Sequence, residues 1–294
     1  MQQGATTPGI SIIRPEFAAL LRPGAAPRRL VSGLQFGEGP AWLADQGCLV
    51  FSDIPAGILY CWRPGEGQRV WRKPSHHANG NTVDGEGRLL SCQQGTRTVT
   101  RTEADGRVRT MAATFRGRRL NSPNDVVVRS DGSIWFSDPP YGIRPDQIEQ
   151  DANRVYRLDP GAREPVAVAE DLARPNGLCF SPDERLLYIA DSDDAHHHVR
   201  RFRVGPHGTL AGGEVFCVIS PGVPDGMRID EQGRLWCTAG DGVQVFAPDG
   251  ALIGKVLTPQ SGANCCFGGI DRRTLFITAV SAVWALELGV RGAR

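Results

Sequence analysis

The stretch Asn124-Asp125-Val126-Val127-Val128-Arg129-Ser130-Asp131-Gly132-Ser133-Ile134-Trp135-Phe136-Ser137-Asp138 decides the fold. It opens on a polar pair, runs through three valines, breaks at Ser130-Asp131-Gly132 and resumes as an aromatic, β-rich run. That is a hairpin signal. The same order occurs six times. The openings are Glu38-Gly39-Pro40, Asn79-Gly80-Asn81, Asn124-Asp125-Val126, Asn176-Gly177-Leu178, Asp225-Gly226-Met227 and Asn264-Cys265-Cys266, spaced by 41, 45, 52, 49 and 39 residues. A period of roughly 40–50 residues made of short strands is that of a β-propeller blade. A second strand pair follows each hairpin, as at Arg154-Val155-Tyr156-Arg157-Leu158 and Val243-Gln244-Val245-Phe246. The inner strands read as nearly continuous apolar runs because neighbouring blades cover both faces. The sequence therefore predicts an all-β chain: a six-bladed β-propeller with four-stranded antiparallel blades around a central channel.

No linker or low-complexity tract interrupts the repeats, so residues 30–294 read as one domain. Residues 1–29 read as an N-terminal extension. Within it residues 16–21 form either a short outer helix, stopped by Pro23 and Pro27, or a loose tail. Net charge is +1 with both signs scattered, which argues against a nucleic-acid surface or a polybasic membrane patch. No apolar run approaches the ~18–20 residues of a membrane span, and the N-terminus lacks the charged start and apolar core of a signal peptide. The eight cysteines include no Cys-x-x-Cys, and several sit inside strand-like runs. Reduced thiols and a cytoplasmic location follow as expectations; a mature form trimmed of its signal would be periplasmic instead.

In a propeller the six openings sit at one height around one channel. Six loops then deliver Glu38, Asn79, Asn124, Asn176, Asp225 and Asn264 to one place. Carboxylates facing a narrow channel need a partner or a cation. Two carboxylates with Asn carbonyls and no thiol describe a site for one hard divalent cation. Ca²⁺ fits best, with Mg²⁺, Mn²⁺ or Zn²⁺ as alternatives; Zn²⁺ prefers nitrogen or sulfur. Glu38, Asn176, Asp225 and Asn124 are the candidate ligands, while Asn79 and Asn264 line the cavity. Consecutive His196, His197 and His198 on a strand point to opposite faces and cannot chelate as a set.

The segments Phe36-Gly37-Glu38-Gly39-Pro40-Ala41-Trp42, Asn121-Ser122-Pro123-Asn124-Asp125, Arg174-Pro175-Asn176-Gly177-Leu178 and Pro224-Asp225-Gly226 resemble the gluconolactonase/regucalcin (senescence marker protein) family. So does Asn264-Cys265-Cys266-Phe267-Gly268-Gly269. The matches run from about residue 30 to 285 in the family's order. The resemblance implies a six-bladed propeller, one catalytic divalent metal on the channel axis and hydrolysis of sugar lactones or related esters. It matches Glu38, Asn176 and Asp225 to metal ligands, and Asn124 to an Asn that contacts metal or substrate. Animal members carry a substrate-contacting Arg two residues before that Asn. Here Arg119 lies too far away, Asn121 takes part of its place, and the pattern is closer to the bacterial branch.

In the lactonase reading the metal polarises the lactone carbonyl and Asp225, the one acid at the openings besides Glu38, both ligates and accepts a proton from water. His76 or His77 would be a better-matched base. Asn121, Asn124, Asn79, Tyr141 and His77 are the candidate substrate contacts. The long interval after Asp138, residues 139–150, reads as a loop overhanging the channel mouth, with Tyr141 and Arg144 facing substrate. The competing readings are a phosphotriesterase-like hydrolase of the diisopropyl fluorophosphatase type and a non-catalytic, calcium-stabilised binding propeller. A small-molecule partner, with no nucleic acid or membrane, and a monomer or homodimer complete the expectations.

Overall fold

The computed structural model describes residues 9–293. Its strands form six antiparallel blades, each adding strands outward from the channel in chain order, except that N-terminal strands form the outer edge of the fifth and sixth. The innermost strands are Gly37–Leu43, Ala78–Val83, Val126–Val128, Pro175–Phe180, Met227–Ile229 and Asn264–Gly268. Each begins at or next to one of the polar openings. The molecule is therefore the six-bladed β-propeller that the repeat predicts.

Buried apolar residues gather in six clusters, one at each seam between successive blades. Strand alternation explains this partition. In Cys48–Asp53, Leu49 and Phe51 face the last blade while Cys48 and Val50 face the second. Every residue of that strand is buried, so its sequence cannot alternate polar with apolar. All eight cysteines are buried and unpaired, among them Cys61, Cys92, Cys179 and Cys237 inside these seams. Among the described residues no helix is long and apolar enough to cross a membrane.

The ring closes through the N-terminal segment. Strand Arg28–Ser32 pairs with Ala282–Glu287 as the outermost strand of the sixth blade. The boundary drawn after residue 29 cuts this strand, because closure joins segments some 250 residues apart that carry no local signal. Strand Gly9–Ile12 pairs with Leu252–Leu257 and gives the fifth blade a fifth strand. Between them the helix spans only Pro15–Ala18. Phe17 is fully buried against Trp236, and a Cβ at Gly254 would lie 2.0 Å from its ring. Burying such a side chain contributes about 1.5–3 kcal/mol, enough to dock this segment rather than leave it loose.

The channel has two mouths. One carries the polar openings. The other forms a cavity of about 520 Å³ walled by Trp42, Val83, Val128, Phe180 and Phe267. Arg228 lies between the two, donating to the carbonyl of Met227 at 2.7 Å and facing Asp125 at 3.7 Å.

Candidate active site

The polar openings converge because glycine lets adjacent blades touch. A Cβ on Gly177 would stand 2.2 Å from the Asp225 carbonyl, and one on Gly226 would stand 2.0 Å from Asn264 Cγ. Gly39 and Gly80 make the same close step toward the second and third blades. The Asn-Gly and Asp-Gly pairs are thus seam contacts, not turns. Hydroxyls reinforce the seams: Ser52 donates to the Asn79 carbonyl at 2.7 Å and Thr238 to the Ala263 carbonyl at 3.0 Å.

Three carboxyls meet here. Glu38 is 3% exposed, Asp125 fully buried and Asp225 partly exposed. Burial above all, then the charges of Asp225 and Asp125, pushes the Glu38 carboxyl well above its ordinary range. Burial and the charge of Asp125 push Asp225 up to about 7. Asp125 corrects the expectation of only two acids. It follows the opening Asn124, and its position facing Asn264 at 3.5 Å and Arg228 emerges only when blades three, five and six meet. Its own carboxyl is raised by burial and drawn back by Arg228. That ion pair neutralises one acid and, among the described residues, leaves Glu38 and Asp225 without a cationic partner.

The amides complete the donor set. Asn176 and Asn124 are buried, at 6% and 5% exposure. The side-chain oxygens of Asn79, Asn121 and Asn176 are buried with no hydrogen-bond partner among the described residues. Each such oxygen costs about 1–3 kcal/mol if left unsatisfied. Carboxyls lacking a cationic partner beside an unpartnered amide oxygen suit a hard divalent cation. Among the described residues no three His, Cys, Asp or Glu side chains could hold a metal by themselves, so a cation here requires amide oxygens as well. His196 turns to Asp193 and Asp191 at 3.5 and 3.9 Å and packs on His198 with ring centroids 5.3 Å apart.

The other predicted contacts divide. Tyr141 is 41% exposed, yet its hydroxyl faces Ser192, Asn176 and Asp225; burial, then the Asp225 charge, raises it to about 12. This part of the insertion overhangs the mouth. The rest does not. Arg144 pairs with Asp146, and Glu149 reaches away to Arg97 at 3.1 Å and the Arg119 amide at 3.0 Å. Arg144, expected to face substrate, is exposed and paired with Asp146 of its own loop. Asn121 donates to the Asp138 carbonyl at 3.2 Å. His77 is exposed, with Nδ1 2.8 Å from the Ile54 carbonyl. A carbonyl only accepts, so Nδ1 carries a proton there. Arg119 is exposed and donates to the Thr96 carbonyl.

The raised carboxyls predict a pH dependence of stability. In the unfolded chain they lose protons near pH 4, whereas Asp225 holds its own to about 7. Between these values the folded state binds more protons, so unfolding free energy falls as pH rises. Chelated protein should melt at a higher temperature near pH 5 than near pH 8, and added calcium should raise Tm most near pH 8. Calorimetry in which the chelated Tm climbs from pH 5 to 8 would contradict this.

Fold and site together define a six-bladed β-propeller with a carboxylate–amide ring at one channel mouth. Residues 36–281 match the SMP-30/gluconolactonase/LRE-like region, and the chain belongs to that family. It is 36% identical to a gluconolactonase of Zymomonas mobilis over 94% of this chain and 85% of the relative. It is 26% identical to a pentonolactonase of Haloferax volcanii over 83% of this chain and 81% of the relative. Its fold superposes with a TM-score of 0.90 on a gluconolactonase of Xanthomonas campestris, at 37% identity, covering 97% of this chain and 96% of that one.

Proposed function

We propose that this protein is a divalent-metal-dependent lactonase acting on sugar lactones. The observation that carries it is the pairing of two uncompensated carboxyls, Glu38 and Asp225, with the unpartnered amide oxygen of Asn176. The names of the Zymomonas, Haloferax and Xanthomonas relatives supply the substrate class. Glu38, Asn124, Asn176 and Asp225 would hold the cation, and Ca²⁺ suits this oxygen-only set. When bound, it would supply Lewis-acid polarisation of the lactone carbonyl.

The chain's own residues supply the rest. Asp125 is sealed from solvent and paired with Arg228, so it cannot reach a water. Asp225 is the partly exposed carboxyl, and it accepts the proton from the attacking water. A pKa raised toward neutrality matches that task, although ligation of a cation lowers basicity. The Tyr141 hydroxyl stays protonated at neutral pH and can donate to a substrate oxygen. Asn79 and Asn121 offer further polar groups for a polyhydroxylated ring.

Hydrolysis should be assayed on gluconolactone, a pentonolactone and an organophosphate, each with and without chelator. Lactone turnover that is lost with chelator supports the reading. Preferential organophosphate turnover would replace it with the phosphotriesterase-like alternative, and no turnover of any substrate would favour a binding propeller. Tyr141→Phe should raise KM for the lactone several-fold, leaving calcium affinity unchanged. An unaltered KM would remove Tyr141 from the substrate contacts.

A further inference from the structure

Three of the four loops carrying the proposed cation ligands are held by one repeated device. Asp53 accepts the backbone N–H groups of Gln35 and Phe36, both at 3.1 Å. Asp138 accepts those of Asn121 and Ser122 at 2.7 and 2.8 Å. Asp191 accepts those of Ala173 and Arg174 at 3.0 and 2.7 Å. In every case Oδ2 takes the first amide and Oδ1 the second. The ligand stands three residues beyond the first amide: Glu38, Asn124 or Asn176.

Each of these aspartates ends the second strand of its blade, in Cys48–Asp53, Ile134–Asp138 and Leu186–Asp191, and none is more than 2% exposed. The second strands of the other blades end in Gln93, Ala239 and Ala279, which have no carboxylate to offer. The fourth ligand loop is held from next door. Ser192, the residue after Asp191, donates its hydroxyl to the Pro224 carbonyl at 2.5 Å, one residue before Asp225.

Hydrogen bonds from backbone amides to a carboxylate are charge-assisted and strong. Two per loop fix the backbone just ahead of the ligand, so binding a cation need not order it. We propose that Asp53, Asp138 and Asp191 are positioning residues that preset the cation site, with Ser192 extending the same support to Asp225. The proposal rests on the cation-site reading given above.

A matched comparison exists within the same chain. Asp230 is fully buried and accepts the amides of Gln232 and Arg234, both at 3.0 Å, in a turn that carries no ligand. The full-length Asp53→Asn, Asp138→Asn, Asp191→Asn and Asp230→Asn variants should be compared with the parent. Asn keeps the shape but turns an NH2 toward one of the two amides. Calcium affinity is read by titration calorimetry, and amide hydrogen exchange is read in metal-free protein. Each of the first three variants should bind calcium about 10–100-fold more weakly and exchange faster at its own clamped amides. Asp230→Asn should lower Tm without changing calcium affinity. If a clamp variant fails to fold, Ser192→Ala, which removes no carboxylate, should still weaken calcium binding. The proposal is overturned if the folded clamp variants bind calcium within about twofold of the parent, or if Asp230→Asn weakens binding as much as they do. A parent protein that binds no divalent cation removes the cation site itself and the proposal with it.

Discussion

Asp225→Asn is expected to lower kcat on a sugar lactone by about 10²–10⁴-fold, the range for losing a general base. The substitution keeps an oxygen donor for a cation, so the assay is run at saturating metal to separate ligation from proton transfer. Glu38 is nearly as buried as the sealed Asp125, and Asp125 is engaged with Arg228, which leaves Asp225 as the acid open to water. The loss should be in kcat more than in KM, because the base acts in the transition state. A near-wild-type rate would move the base elsewhere. His77 would be tested next, since its Nδ1 is committed to the Ile54 carbonyl and only its Nε2 is left for proton transfer.

Chelation is the second large effect. EDTA should abolish lactone hydrolysis, and calcium or another divalent ion should restore it. Glu38→Gln removes one of the two carboxylate charges not neutralised by Arg228 and should weaken calcium binding by more than about 10²-fold, since even outer-shell groups are worth 10–100-fold. Full activity in the chelated protein would sink the mechanism. Unchanged calorimetric affinity of Glu38→Gln would remove Glu38 from the ligands. The same substitution should stabilise the metal-free protein, because it relieves a buried carboxyl placed beside Asp225 and Asp125.

Much of this architecture was legible in the chain. Hairpin chemistry is local, so six polar openings at a period of roughly 40–50 residues were enough to count the blades. Strand alternation with both faces buried explained the near-continuous apolar runs that now fill six seams. Because equivalent positions in a closed ring converge, the openings by themselves bring Glu38, Asn176 and Asp225 to one mouth. Tyr141 was reachable by the same logic: the longest interval follows a strand that ends on that mouth.

Other features were decided only in three dimensions. Strand Arg28–Ser32 joins the sixth blade because ring closure leaves Ala282–Glu287 with a free edge, and nothing near residue 28 encodes that partner. Arg144 reads as a free cation in the sequence, but its own loop supplies Asp146. Asp125 looked like the second half of an opening dipeptide; its pairing with Arg228 and Asn264 crosses blades more than 100 residues apart. The bidentate hold of Asp53, Asp138 and Asp191 on the loops before Glu38, Asn124 and Asn176 needed the fold to bring strand end and loop together. Local residue order fixes which segments become strands and where each blade starts. Which charges meet, and which are left for a cation, depends on contacts between distant segments that only the closed ring creates.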